Sequence, residues 1–251
     1  LGVEVVVLEG DIGRMNTVFK FYLQVWVLLA IAAAVSLAWI RERSRSWVPE
    51  VRHIWWAGMT LLVLGGALFL PYGIRARAVD RMAPQVGNRL DGMAFMRHAE
   101  VLGGPQGDAR PISLTGDYHA IRWMQENIEG SPVILEGLGW REYLWANRVS
   151  VYTGLPTVVG WRHHQAQQRV GVDGDVVTWR RDDVNECYST SDMDRAEEIL
   201  EQYDVRYIYV GEYERAYYDA QALAKFDQMV ERGLLRPVYD AQGVTIYEML
   251  S

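Results

Sequence analysis

Residues 21–40, FYLQVWVLLAIAAAVSLAWI, run for 20 positions without a charged side chain. At roughly 1.5 Å of rise per residue a helix of this length spans about 30 Å, the hydrocarbon thickness of a bilayer. Tyr22, Trp26 and Trp39 lie toward its ends, where interfacial aromatics are favoured. A second uncharged run of 21 residues, Ile54–Ile74, has Trp55 and Trp56 at one end and Tyr72 at the other. A buried helix of a soluble protein is equally apolar, but two such runs flanking one short charged loop point to a membrane hairpin. The reading outward from this stretch is a pair of transmembrane helices over 18–40 and 53–74, joined by a basic loop over 41–52. Residues 1–17 are the end of an outer loop.

The rest of the composition fits such an uneven chain. Half of the 251 residues are hydrophobic, yet mean hydropathy is near zero, so the apolar residues are concentrated rather than spread. A net charge of −7 argues against a nucleic-acid footprint. The single cysteine, Cys187, allows no internal disulfide and no cysteine-rich metal site; its default is a reduced, buried thiol. Arg41, Arg43, Arg45 and Arg52 make the loop basic, and the positive-inside rule then favours a cytoplasmic loop with both flanks on the outer face. The chain begins at Leu1, mid-pattern, and is read as the end of a longer protein.

Beyond the hairpin, residues 76–116 are rich in Gly, Pro and Arg and are expected to form a tether, with one short helix near Met93–Glu100. A soluble domain is expected over 117–251. Asp117 opens a helix running to Ile128, and Gly130-Ser131-Pro132 breaks it. Val133–Leu135 and Val149–Tyr152 read as short buried strands. Thr190 or Ser191 caps a helix to Tyr203, and VRYIYV at 205–210 is the clearest strand. A helix over Ala220–Arg232 ends at Gly233, and Val238–Tyr239 with Val244–Met249 read as a terminal hairpin. Helices alternating with short β runs imply an α/β fold with a small mixed sheet. The fold class expected is therefore a membrane α-helical hairpin followed by a soluble α/β domain.

Two places carry chemistry. Glu9 and Asp11 precede the first membrane helix; the pair could hold a divalent cation or supply a catalytic base, and as members of a solvated loop they need do neither. Arg14, Asn16 and Lys20 follow, able to bind a phosphate at the membrane surface or to serve as interfacial anchors. The second place is TGLPTVVGWRHHQAQQR at 153–169. Trp161 has the shape to stack on a sugar ring or to plug the domain. His164, Gln165 and Arg169 are the substrate-binding candidates, ahead of His163. A metal site would want a third ligand at helical spacing, and the stretch has none. Whether a metal takes part is left open. No GxSxG elbow, Walker loop or GxGxxG is present; Gly103-Gly104 and Gly137-Leu138-Gly139 lack the context those motifs need.

The chain resembles the YYY membrane proteins, hydrophobic multi-pass proteins of Chloroflexi and some archaea named for a YYYxG motif. The match is Tyr207-Ile208-Tyr209-Val210-Gly211, with isoleucine in place of the middle tyrosine. GRMNTVFKFYLQ at 13–24, LDGMAFM at 90–96, TGLPTVVGWRHHQAQQR at 153–169 and GVTIYEM at 243–249 also match. That family's layout is in turn similar to the GT-C membrane glycosyltransferases. The resemblance implies a multi-pass protein of the cell membrane whose carboxyl-terminal domain lies on the outer face. It implies transfer of a sugar from a polyprenyl-phosphate carrier, with Glu9 and Asp11 as catalytic acids near the bilayer and 160–169 capping the same cleft. Partners would be the lipid bilayer, the lipid-linked sugar and further amino-terminal membrane helices of the same chain, without which this portion is not expected to be active. The competing class is a non-enzymatic, membrane-anchored structural or sugar-binding module.

Overall fold

An uncharged apolar run in a bilayer satisfies its backbone polar groups only by coiling, and both runs are helical. The computed structural model describes residues 15–81, 84–87, 89–139, 142–169 and 175–250. The β-like run Val3–Leu8 and the candidates Glu9, Asp11 and Arg14 lie outside them. The chain divides into two units, meeting at Met82 and Ala83.

In the first unit, α1 (Met15–Arg43) outruns its apolar stretch at both ends, and α2 (Pro49–Ala67) starts before the second stretch. Arg41 and Arg43 extend α1 because arginine is a good helix former and suits the negative end of the helix dipole. Pro49 opens α2 at its first turn, where its missing N–H is no loss. The basic segment is thus mostly helical, with a 3-10 turn at Ser44–Ser46. Ser44 accepts a hydrogen bond from Trp56 Nε1 at 3.1 Å, and Trp47, Trp55 and Trp56 meet edge to face. The second expected helix is interrupted at Leu68, after which α3 (Phe69–Arg81) continues. The cause is Pro71, which has no N–H for the Ala67 carbonyl. Two spans, Thr17–Ser46 and Pro49–Val79, are long and apolar enough to cross a membrane, and neither is covered by protein.

The second unit is an α/β domain. Its sheet has the order β3 (Val133–Leu135), β4 (Val205–Val210), β6 (Val244–Met249), β5 (Leu235–Ala241). The β3–β4 pair is parallel and the other two are antiparallel, so the small sheet is mixed as expected. Alternation along the strands sends residues to opposite faces. Leu135, Ile208, Val210 and Tyr247 pack against α7 (Asp175–Ser189), α8 (Met193–Gln202) and α11 (Lys225–Glu231). Ile134, Tyr207, Tyr209 and Ile246 face α4 (Thr115–Asn127) and α5 (Arg148–Thr153). The remaining short helices are α6 (Arg162–Gln168), α9 (Glu212–Tyr217) and α10 (Ala220–Leu223).

Several local expectations are corrected. The segment read as a tether contains a hairpin, β1 (Glu100–Gly103) with β2 (Arg110–Ser113), and a 3-10 turn at Ala94–Arg97. Met93, Met96 and Leu114 are buried there against Tyr118 and Ile121 of α4, so its few apolar residues make a core of their own. Val149–Tyr152 is not a strand. It lies in α5, whose first-turn N–H groups are held by Glu136 and whose end is turned by Gly154 at φ 77°. Asp192, rather than Thr190 or Ser191, caps α8 through the Asp194 and Arg195 N–H groups. The helix expected over Ala220–Arg232 is in two pieces, α10 and α11. Cys187 is buried and unpaired, and burial pushes its thiol up to about 12.

Tyr188 ties α7 to the sheet. Its buried hydroxyl lies 2.8 Å from the Tyr209 carbonyl and 3.1 Å from that of Leu135, bridging the two parallel strands at their carboxyl ends. Tyr188→Phe is expected to cost about 1–3 kcal/mol, the penalty for orphaning buried carbonyls, read as a lowered urea midpoint. An unchanged midpoint would show that the bridge contributes nothing.

Candidate functional site

In a sheet with parallel strands, ligands bind beyond the strands' carboxyl ends. Here those ends are Leu135 and Val210, and a buried ionic cluster sits just past them. Arg148 at the start of α5 is fully buried. Its guanidinium forks onto Glu214, with Nη1 and Nη2 donating to Oε1 and Oε2 at 3.1 and 2.8 Å. Its Nε contacts Asp117 Oδ2 at 2.8 Å, an ion pair whose N–H is off the hydrogen-bond axis. Tyr209 donates to Asp117 Oδ1 at 2.6 Å, and the rings of Tyr209 and Tyr213 flank the guanidinium. Glu214 also accepts from the backbone N–H groups of Gly211 and Gly137. Gly211 is tightly enclosed: a Cβ would stand 3.0 Å from Arg148 Nη2 and 3.2 Å from Asp117 Oδ1.

One cation serves two carboxylates, and they share it unequally. Burial raises the Asp117 carboxyl above its usual range despite Arg148. Burial works against Glu214 too, but the bidentate Arg148 and the backbone donors hold it below its usual range. Glu136, next in chain after β3, is buried without a cation of its own. Burial pushes it up to about 7, against the Ser150 and Val149 N–H groups it accepts from. The cluster is sealed from solvent, so its chemistry is structural: it fixes where α5 and the residues before it stand.

Those residues wall a cavity of about 390 Å³, within the range of small-ligand sites. Leu138 and Gly139 continue from β3; Asn147 precedes α5; Gly160, Trp161 and Arg162 open α6; Arg181, Asp182 and Asn185 come from α7. Glu142 completes the wall and accepts from the His163 N–H at 3.0 Å, pinning the start of α6. Gly160, at φ 73°, lets the chain turn beside the Asn147 amide, which a Cβ would meet at 3.3 Å. Arg181 pairs with neighbouring Asp182, Nε to Oδ1 at 2.8 Å, and Arg162 reaches only the Thr178 hydroxyl at 3.4 Å.

The residues singled out from sequence divide here. Trp161 lines this cavity. Gln165 and Arg169 hydrogen-bond each other and line a second hollow of about 200 Å³ with Arg180. His164 Nδ1 lies 3.3 Å from the Tyr143 hydroxyl, in an aromatic group with Trp161. Lys20 is exposed on α1, in the other unit. Asn16 lies on α1 with its side chain outside the described residues, as are Glu9, Asp11 and Arg14. Sequence reading missed Glu142, Asn147, Arg162, Arg181 and Asn185. The one nearby signal was Gly137-Leu138-Gly139, which follows Glu136 at the end of a strand that proves to be parallel and marks only the loop after β3. No group of three or more metal-ligating side chains occurs among the described residues.

Residues 1–29 match a family described as "Uncharacterized membrane protein (DUF2298)". With two helices long and apolar enough to cross a bilayer, the chain is that of a membrane protein. Among solved structures it is similar to the C-terminal globular domain of an oligosaccharyltransferase from Archaeoglobus fulgidus. That match has 17% identity and a TM-score of 0.33, over 53% of this chain and 95% of that one. No curated protein matches.

Two outcomes test the cluster. Arg148→Met is expected to destabilise the domain by about 3–5 kcal/mol, because two carboxylates remain buried without a cation; Arg148→Lys should not restore the loss, since an ammonium cannot fork. Thermal unfolding of both variants reads this, and full rescue by lysine would rule out the fork. For Glu136, the folded value of about 7 lies above the unfolded value of about 4.3, so stability falls as pH rises between them. Glu136→Gln should therefore gain on the wild type from about pH 4.5 to pH 7.5, by about 4 kcal/mol at most, and hold that lead above. Parallel stability profiles for the two proteins would contradict it.

Proposed function

We propose that the chain is the carboxyl-terminal part of a GT-C-like membrane glycosyltransferase that uses a polyprenyl-phosphate-linked sugar, and that it belongs with the YYY membrane proteins. The observation that carries the reading is the Trp161 cavity, a polar hollow with an aromatic wall at the carboxyl ends of β3 and β4, in a chain with a membrane hairpin. Tryptophan beside carboxylate and amide groups suits a sugar, which offers an apolar ring face and a rim of hydroxyls. The cavity's described side chains bind rather than react: Glu142 is engaged with α6 and Asp182 with Arg181. Catalysis is assigned instead to Glu9 and Asp11, with Arg14, Asn16 and Lys20 toward the carrier phosphate, and a divalent cation is the cofactor such a carboxylate pair would take. His164, Gln165 and Arg169 support the sugar-binding wall from α6. The basic segment 41–52 is placed in the cytoplasm and the α/β domain on the outer face.

Membranes carrying the full-length protein of which this chain is proposed to be the carboxyl-terminal part, supplied with a polyprenyl-phosphate sugar, test this. Glu9→Gln and Asp11→Asn are each expected to lower glycan transfer by about 100-fold or more, the scale of a lost general base. Trp161→Ala is expected to raise the KM for one of the two substrates. Transfer unchanged in all three variants would sink the assignment of catalysis to Glu9 and Asp11 and of substrate binding to Trp161; no transfer by the wild type would leave a sugar-binding module.

A further inference from the structure

The second hollow, of about 200 Å³, has a wall unlike that of the Trp161 cavity. Thr157 bridges in parallel to Ile134 of β3, so Val158 and Val159 run on past the carboxyl edge of the sheet, the side on which parallel sheets bind ligands. Val158, Val159 and Val177 are buried and give the hollow an apolar floor. Its polar lining is Thr157, Gln165, Arg169 and Arg180, and no carboxylate is among its described lining residues. A thin partition separates it from the Trp161 cavity: a Cβ on Gly160, which lines the one, would stand 3.2 Å from Nε2 of Gln165, which lines the other.

Two arginines without a counter-charge are out of keeping with this chain. It holds 32 acidic residues against 25 lysines and arginines, so carboxylates are at hand to neutralise a guanidinium. Arg122, Arg181, Arg195, Arg206, Arg232 and Arg236 each meet one. Among the described residues, Arg169 and Arg180 meet none. Arg180 Nη1 donates to the Val158 carbonyl at 3.0 Å, and its guanidinium lies over the Tyr203 ring, 5.1 Å from the centroid. Asp183, three residues further along α7, is engaged by Tyr203, Gln202 and Arg195 instead. Arg169, at the end of α6, donates to the Gln165 side chain. An arginine carries five N–H donors, so both keep most of theirs for another partner. Two solvated surface arginines are the ordinary alternative. What sets these apart is that they line one concave space, over valines, with Arg180 already fixed by its carbonyl and its ring.

Forked N–H donors match the paired oxygens of a carboxylate or phosphate, and the valine floor suits a short carbon body behind that charge. We infer that the Arg169–Arg180 hollow binds a small organic oxyanion, a carboxylate or a phosphate monoester, by its charged end. The site goes beyond the sugar-binding reading and does not depend on it.

The test is direct binding to the full chain in detergent, by titration calorimetry at low salt. The probes share one three-carbon body: glycerate, glycerol 3-phosphate and uncharged glycerol. Both anions are expected to bind at least tenfold more tightly than glycerol, and to weaken as salt is raised. The tighter of the two tells whether a carboxylate or a phosphate is preferred. Arg169→Gln and Arg180→Gln are each expected to weaken anion binding about 10-fold or more, the scale of a lost charge-assisted hydrogen bond. Circular dichroism checks that both fold. Arg180 also ties α7 to Val158, so Arg169→Gln is the decisive variant: unchanged affinity there would overturn the inference, whatever Arg180→Gln does. Glycerol bound as tightly as the anions would overturn it as well. So would anion binding lost in Arg162→Gln and kept in the other two, which would move the anion to the Trp161 cavity. None of these results bears on sugar transfer, which the Glu9 and Asp11 variants test separately.

Discussion

The α/β domain depends on one guanidinium shared by two carboxylates. Arg148, Asp117 and Glu214 come from α5, α4 and α9, three helices brought to one buried group. A buried arginine without partners would be ruinous, and a pair of buried acids equally so. Together they are tolerable only in one arrangement, which is why the cluster fixes geometry more than it adds stability. Its consequences run outward. Gly137 and Gly211 stand where a Cβ would crowd Glu214 and Arg148, so a side chain at either would push on the cluster. Asn147, one residue before Arg148, is held at the cavity wall because its neighbour cannot move.

The same cluster separates structure from binding. Its charged atoms are hydrogen-bonded or in ionic contact, and solvent does not reach them. The cavity beside it is the reverse: Glu142, Asn147 and Trp161 each keep one group unmatched, over a strained Tyr143.

How much of this the sequence discloses follows the range of the interactions. The membrane helices are legible because hydropathy is a local property, though Pro71 and the helical arginines after Ile40 move their ends. VRYIYV and VTIYEM are legible as strands because alternation is local too. Val149–Tyr152 misleads because its β-branched residues suit either state, and a carboxylate from Glu136 decides for helix. The segment 76–116 misleads because its glycines and prolines hide the few residues, Met93, Met96 and Leu114, that bury. Within TGLPTVVGWRHHQAQQR, the density of polar groups singles out Trp161, which lines the cavity. It does not disclose that α6 directs Gln165 and Arg169 to another hollow, nor that the cavity's remaining groups come from the loop after β3 and from α7. Asp117, Arg148 and Glu214 carry no local signature; only the folded chain brings them together.

Amide hydrogen exchange on the Arg148→Met protein tests the central claim, that this guanidinium holds the cavity's floor in place. The account predicts that the Gly137, Val149 and Ser150 amides lose their protection, while the β4–β6 ladder around Tyr209 and Ile246 keeps its own. Unchanged protection at those three amides, or an equal loss across the sheet, would contradict it.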